Sequence, residues 1–162
     1  MKIIIKKQSG IYTLTSEQIL PISLEKAWEF FTHPNNLDRI TPKEMQFEIT
    51  NNPPDKTYLG QIITYKIGIL PMIKSNWITE ITHFEDRKFF VDEQRFGPYA
   101  LWHHKHFIKE IPGGVEMEDI VDYKVPMGIL GQLVHPILVK PKLNEIFEYR
   151  RKKLIELFGE IK

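Results

Sequence analysis

Apolar residues recur along this chain with two different periods, and the switch between them divides it into elements. Over residues 143–158 they stand at Leu143, Ile146, Phe147, Leu154, Leu157 and Phe158, the 3.6-residue spacing of one helical face. Charged residues fill the remaining surface. Glu148 precedes Lys152 by four positions, the favourable order for a helical ion pair. Gly159, just past the last apolar residue, suits a C-cap. The spacing predicts a helix over residues 141–158 that buries Ile146, Phe147, Leu154 and Leu157. Arg150 lies on the same stripe. A guanidinium cannot shed its charge, so at that position it needs a carboxylate partner.

The rest of the chain reads mainly with a period of two. Residues 11–22 predict a first strand. Ser23 then caps a helix over residues 24–31, with Leu24, Ala27, Trp28 and Phe31 inward and Glu25 in the first turn. His33-Pro34 stops that helix. Residues 35–40 predict a further helical turn, and 45–50 a second strand with Met45, Phe47 and Ile49 alternating. Long strand patterns follow at 60–69 (Ile63, Tyr65, Ile67 and Ile69 on one face), 73–84 (Ile73, Trp77, Ile81), 88–96 and 101–111. Pro112-Gly113-Gly114 turns the chain into 115–125, where Val115, Met117, Asp119, Val121, Tyr123 and Val125 share a parity. Residues 127–141 are apolar but broken by Gly128, Gly131, Pro136 and Pro141, which predicts a loop and a short or kinked helix. A run of strands closed by a long helix is an α+β arrangement: a curved antiparallel sheet wrapped around the C-terminal helix, with space between them for a small apolar ligand.

Composition narrows the function classes. The 162 residues suit a single domain, with 42% apolar and 27% charged residues and a net charge of +1 at pH 7, which gives no reason to expect nucleic acid as a partner. There is no cysteine, which excludes thiol catalysis and cysteine–metal sites and fits a reducing compartment. The three consecutive apolar residues after Lys2 are too few for the apolar region expected of a signal peptide, and no stretch approaches the ~20 apolar residues that cross a bilayer. These features predict a cytoplasmic protein without stable membrane insertion.

The candidate chemistry lies on three consecutive strands and the final helix. Trp102, His104 and His106 share one strand face, since Lys105 and Lys109 mark the other as solvent-facing. Asp92, Gln94 and Phe96 share a face on the strand before, joined to it by the Gly97-Pro98-Tyr99 turn. Asp119 and Tyr123 point inward on the strand after. Trp77 is inward on its own strand. The expected ligand-contacting set is therefore Trp77, Asp92, Gln94, Phe96, Trp102, His104, His106, Asp119, Tyr123 and Arg150, with Arg150 bonding Asp92 or Asp119. His104 and His106 at i,i+2 have the residue types of a zinc site with Asp92 or Asp119, but no further spaced ligand motif supports one, and no metal or cofactor is expected. No serine or threonine stands within these motifs as a nucleophile.

Asn36-Leu37-Asp38-Arg39-Ile40-Thr41-Pro42, the run from Asp92 through Gln94, Gly97-Pro98-Tyr99, Trp102, His104 and His106, the Asp119, Val121, Tyr123 and Pro126 spacing, and Phe147-Glu148-Tyr149-Arg150 together resemble a bacterial ligand-binding subgroup of the START-like (SRPBCC) superfamily, related to polyketide cyclase-like proteins. The resemblance spans nearly the whole chain and implies the helix-grip fold. Three functions are consistent with it: binding of a small hydrophobic or amphipathic molecule under the C-terminal helix, a cyclase or dehydratase acting on a polyketide-like substrate through a histidine acid/base, or an interaction module with a filled core. Oligomeric state is left open.

Overall fold

The computed structural model describes residues 3–70 and 73–160, without the side chains of residues 69 and 70, so the expectation for Ile69 lies outside the described residues. Eight strands form one antiparallel sheet: β1 (Ile4–Gln8), β2 (Ile11–Leu20), β3 (Glu48–Ile49), β4 (Ile62–Leu70), β5 (Ile73–Glu85), β6 (Phe89–Phe96), β7 (Leu101–Ile111) and β8 (Gly114–Lys124). Their spatial order is β1-β2-β8-β7-β6-β5-β4-β3. From β3 to β8 the chain meanders between neighbours. The one long-range pairing sets β2 against β8, with Leu14 opposite Val121 and Leu20 opposite Val115. The sheet curves around α3 (Lys140–Phe158), as the α+β expectation required.

Local chemistry explains the boundaries. Ser23 caps α1 (Leu24–Phe31) by accepting from the Lys26 N–H at 3.3 Å. At the β7–β8 turn Gly113 takes a positive φ of 87°. A Cβ on Gly114 would stand 2.1 Å from the Leu20 carbonyl, so a side chain there would part β2 from β8. After β8 the chain enters α2 (Gly128–Val134), opens into a π-helical turn over His135–Val139, and continues without a break into α3. Pro136 lies inside that turn. It has no N–H to donate and its ring would press on the preceding turn of an α-helix, so the widened turn accommodates it. The kinked helix expected over 127–141 takes this form.

Four expectations need correction. β1 was not foreseen: Ile3, Ile4 and Ile5 are consecutive and mask a period of two, while Ser9 and Gly10, both at positive φ, close a two-residue turn onto β2. The strand expected over 45–50 shrinks to Glu48–Ile49, because Lys43–Met45 is a 3₁₀ turn and Gln46 is left-handed at φ 44°. In α1 Phe30, held edge-to-face by Phe158 at 5.0 Å, is buried along with Trp28, while Phe31, expected inward, is half-buried. In α3 the buried stripe is Leu143, Phe147 and Leu154, with Arg150 between them. Ile146 is half-buried and Leu157 is exposed. The helix is therefore rotated from the expected phase, so that Leu143 replaces Leu157 against the sheet.

Candidate functional site

The space between the sheet and α3 is filled at one end and open at the other. At the α1 end, Trp28, Phe30, Phe90, Ile108, Met117 and Leu154 belong to one buried cluster. Toward β4 and β5 a cavity of about 1400 Å³ opens. Its walls are aromatic and aliphatic. Trp77 stacks on Tyr65 at 5.7 Å and meets Trp102 at 90° and 5.2 Å, and Tyr99 lies 4.8 Å from Trp102. Phe147 closes it from α3. The indole Nε1 of Trp77 is buried with no hydrogen-bond partner. Burial pushes the Tyr65 phenol well up, the nearby Asp92 charge adds to this, and burial alone raises Tyr99. Both rings stay neutral.

A polar cluster stands where the filled and open halves meet. His104 and His106, two apart on β7, lie with ring centroids 3.7 Å from each other. His104 Nε2 is 2.9 Å from Asp119 Oδ1 on β8. His106 Nε2 is 2.8 Å from Asp92 Oδ2 on β6, and its Nδ1 is 2.8 Å from Asp119 Oδ1. With a carboxylate oxygen against each nitrogen, a bare ring lone pair on His106 would face an anion, so the ring carries both protons. Burial opposes that charge, but Asp119 and Asp92 outweigh it and hold the His106 pKa above the ordinary value. His104 goes the other way: burial, then the charge of His106, lower it. It is a neutral imidazole with its proton on Nε2. Arg150 brings Nη1 to 3.4 and 3.5 Å from the two Asp119 oxygens and lies over the Phe147 ring at 5.4 Å. Burial raises both carboxyls, yet Arg150 and the histidines hold Asp119 well below the ordinary value, and His106, His104 and Arg150 hold Asp92 below it. Two carboxylates thus face two cations, His106 and Arg150, and the buried charges cancel.

Asp92, His104 and His106 bring three ligand-type atoms within 4.8 Å of one another. A divalent cation held by these atoms would have to displace the proton between His106 Nε2 and Asp92. The arrangement is built for internal pairing.

Of the sequence-predicted residues, Trp77, Asp92, Trp102, His104, His106 and Arg150 border the cavity. Asp119 lies behind the histidines and joins them to Arg150. Three residues stand elsewhere. Phe96 is 61% exposed: the β5–β6 register shifts between Phe96, opposite Ile78, and Gln94, opposite Thr79, which turns Phe96 out. Gln94 closes the next turn on itself, donating from Nε2 to the Tyr99 carbonyl at 2.7 Å and accepting from the Tyr99 N–H at 3.2 Å. Tyr123 is fully buried beside Tyr12, with its hydroxyl 2.7 Å from His135 Nε2.

Sequence reasoning missed Thr79, whose hydroxyl donates toward Asp92 Oδ1 at 3.3 Å and the Glu93 carbonyl at 3.1 Å. Its shared parity with Trp77 and Ile81 was a usable signal. It also missed His135, which stacks on Tyr12 at 3.6 Å. The signal there was a lone titratable residue between Lys124 and Lys140.

Solved structures show the same arrangement of strands and helix around such a space. A protein of Chromobacterium violaceum superposes with a TM-score of 0.69 at 10% identity, covering 92% of this chain and 98% of that one. A START superfamily protein from Mycobacterium smegmatis gives 0.66 at 12% identity, over 90% and 98% of the two chains. The fold is that of the START-like, or SRPBCC, superfamily. The protein Ara h 8.0201 shares this helix-grip fold, with a TM-score of 0.59 at 17% identity over 91% and 99% of the chains. No protein-family profile matches the sequence, and no curated protein matches it. No helix among the described residues of this helix-grip chain is long and apolar enough to cross a membrane.

Proposed function

We propose that this chain, acting as one cytoplasmic domain, binds a small apolar or amphipathic molecule between the sheet and α3, with the ligand's polar end toward Arg150. The observation that carries this reading is the cavity itself. At about 1400 Å³ it exceeds the ~300–1,000 Å³ common for small-molecule sites, and its walls are aromatic and aliphatic. A filled-core module has no use for such a space. Arg150 commits Nη1 to Asp119 and borders the cavity, which leaves other guanidinium N–H groups to take an acidic or carbonyl oxygen. Trp77 Nε1 is a second donor in need of an acceptor. The superfamily resemblance favours the same reading.

The test uses an anilinonaphthalene sulfonate dye and native mass spectrometry. The folded protein should bind the dye saturably with quenching of Trp77 and Trp102 emission, and should carry a co-purifying apolar molecule. A folded protein that does neither would defeat the proposal.

One observation favours an enzymatic reading as well. His104 is neutral, borders the cavity, and has its Nε2 proton fixed by Asp119, the arrangement that orients a general base. That reading, a cyclase or dehydratase, requires conversion of a polyketide-like substrate that is lost in His104→Asn while dye binding persists.

A further inference from the structure

Outside the cavity, the feature of this chain that its fold leaves unexplained is the segment running from Met127 through α2 and the π-helical turn. Seven large apolar side chains between Met127 and Leu138 are 43–77% exposed. Its one buried side chain is His135, which holds it to Tyr12 and Tyr123. A helix with so much apolar surface in water has a missing partner.

Two further observations say what covers it. The first is charge. Between Tyr123 and Asn144 the chain carries Lys124, Lys140 and Lys142 and no acidic residue. Lys7 joins them, donating to Gln132 of α2 at 2.6 Å. Among the described residues none of Lys7, Lys124 and Lys140 is paired with a carboxylate, whereas Lys142 is tied to Glu145 at 3.0 Å. An apolar face whose own segment is flanked by lysines and carries no acid complements an anionic, apolar surface and would repel a second copy of its own basic rim. The second is continuity. Leu130, Val134, Ile137 and Leu138 are exposed to the outside and also line the cavity, while Ile129 and Leu133 lie off its wall. The face therefore surrounds the cavity mouth.

We propose that the segment over 127–139 docks reversibly on an anionic phospholipid surface, lying in the interface and presenting the cavity mouth to the bilayer. The segment lies on the surface rather than spanning it, since no helix among the described residues is long and apolar enough to cross. Gly128, at positive φ, starts the segment, and His135 anchors it to Tyr12 and Tyr123. The docking claim stands apart from the ligand reading, since a face can bind vesicles whether or not the cavity takes up a dye.

The experiment is co-sedimentation of the full chain with phosphatidylglycerol–phosphatidylcholine vesicles and with pure phosphatidylcholine vesicles. The wild type should bind the anionic vesicles at least about tenfold more tightly than the neutral ones and lose that preference in about 0.5 M salt. Ile129→Gln with Leu133→Gln, which leaves the cavity wall intact, should abolish vesicle binding and keep dye uptake. Leu59→Gln, another exposed apolar position, should change neither. As a readout independent of variants, anionic vesicles should slow amide exchange over residues 127–139 of the wild type. Equal binding by wild type and double variant, or no protection of that segment, would overturn the proposal. So would sedimentation showing a wild-type dimer that the double variant converts to monomer, since the face would then be a self-interface.

Discussion

The two ends of the gap between sheet and α3 are made from the same kinds of residue and come out differently. At the α1 end, Trp28 meets Phe84 at 5.4 Å and Phe90 at 6.1 Å, and Leu154 is sealed at 2% exposure. At the β4–β5 end, Trp77 is as buried as Trp28, at 6% against 8%, yet one side of its ring faces the cavity. Low solvent exposure therefore does not mean equal packing. What separates the ends is α1, whose apolar face plugs one side of the curved sheet and leaves the other to α2. The polar cluster marks the boundary: His106 stacks on Phe90 at 4.2 Å on the filled side, and His104 sits 6.0 Å from Phe147 on the open side.

The sharpest test of the contrast is a matched pair of truncations. Trp28→Ala should cost about 3–5 kcal/mol, because the close-packed end cannot collapse around the loss. Trp77→Ala should cost at least about 1–2 kcal/mol less, since it widens a space that already exists and gives up fewer contacts. Urea denaturation of both variants measures the gap. Equal losses would mean the cavity end is packed as tightly as the other.

The boundary cluster should respond almost as strongly, through charge. Arg150→Met leaves the Asp119 charge buried with one cation fewer and should cost about 3 kcal/mol or more. Asp119→Asn strands Arg150 and His106 in the same way. Together the two changes remove one charge of each sign, so the double variant should be clearly more stable than the sum of the single losses predicts. Strict additivity in denaturation curves would show that the 3.4 Å contact carries no coupling.

The histidines should sort by the sign of their pH dependence. His106 is held above the ordinary 6.5 in the folded protein. The stability it contributes is therefore complete below that pH and is lost as the pH rises through the folded value. His104 and His135 are lowered, so what their burial as neutral rings contributes is present above 6.5 and lost as the pH falls. Comparing wild type with His106→Gln from about pH 6 to about pH 9, the stability gap should narrow with rising pH, by up to ~1.4 kcal/mol per unit. Nitrogen NMR of the ring should show both His106 nitrogens protonated near pH 7 and His104 protonated on Nε2 alone. A neutral His106 at that pH would undo the charge balance described for the cluster.

Where sequence and structure agree, the agreement has a physical source. Strand parity is set by a period of two, and lysines at 105 and 109 marked the outer face of β7, so His104 and His106 were placed inward from sequence alone. Arg150 was legible because a charge on an apolar stripe has few acids to choose from. Features that depend on a single-residue irregularity were hidden. A register shift in β6 turned Phe96 out, a left-handed Gln46 cut β3 short, and the rotation of α3 exchanged Leu143 for Leu157. The cavity volume was equally hidden, since it depends on what α1 fails to fill rather than on the residues that line it.

Gln94 gives the smallest effect and separates position in sequence from role. It shares a strand with Asp92, two residues away, which made it a natural ligand contact. In the structure both ends of its amide are spent on the backbone of Tyr99. Gly97 is part of the same device, because a Cβ there would stand 2.5 Å from Gln94 Oε1 and 3.0 Å from its Cγ. Gln94→Ala should then cost about 1 kcal/mol, the net worth of part-buried hydrogen bonds, with dye affinity unchanged. Gly97→Ala should cost a similar amount, because the methyl group pushes the Gln94 amide off the turn. Once Gln94 is already alanine, Gly97→Ala has nothing left to displace, so the double variant should lose little more than either single one. If dye affinity falls instead while stability holds, Gln94 belongs to the cavity after all, and the aromatic wall at Tyr99 and Trp102 extends one residue further toward β6.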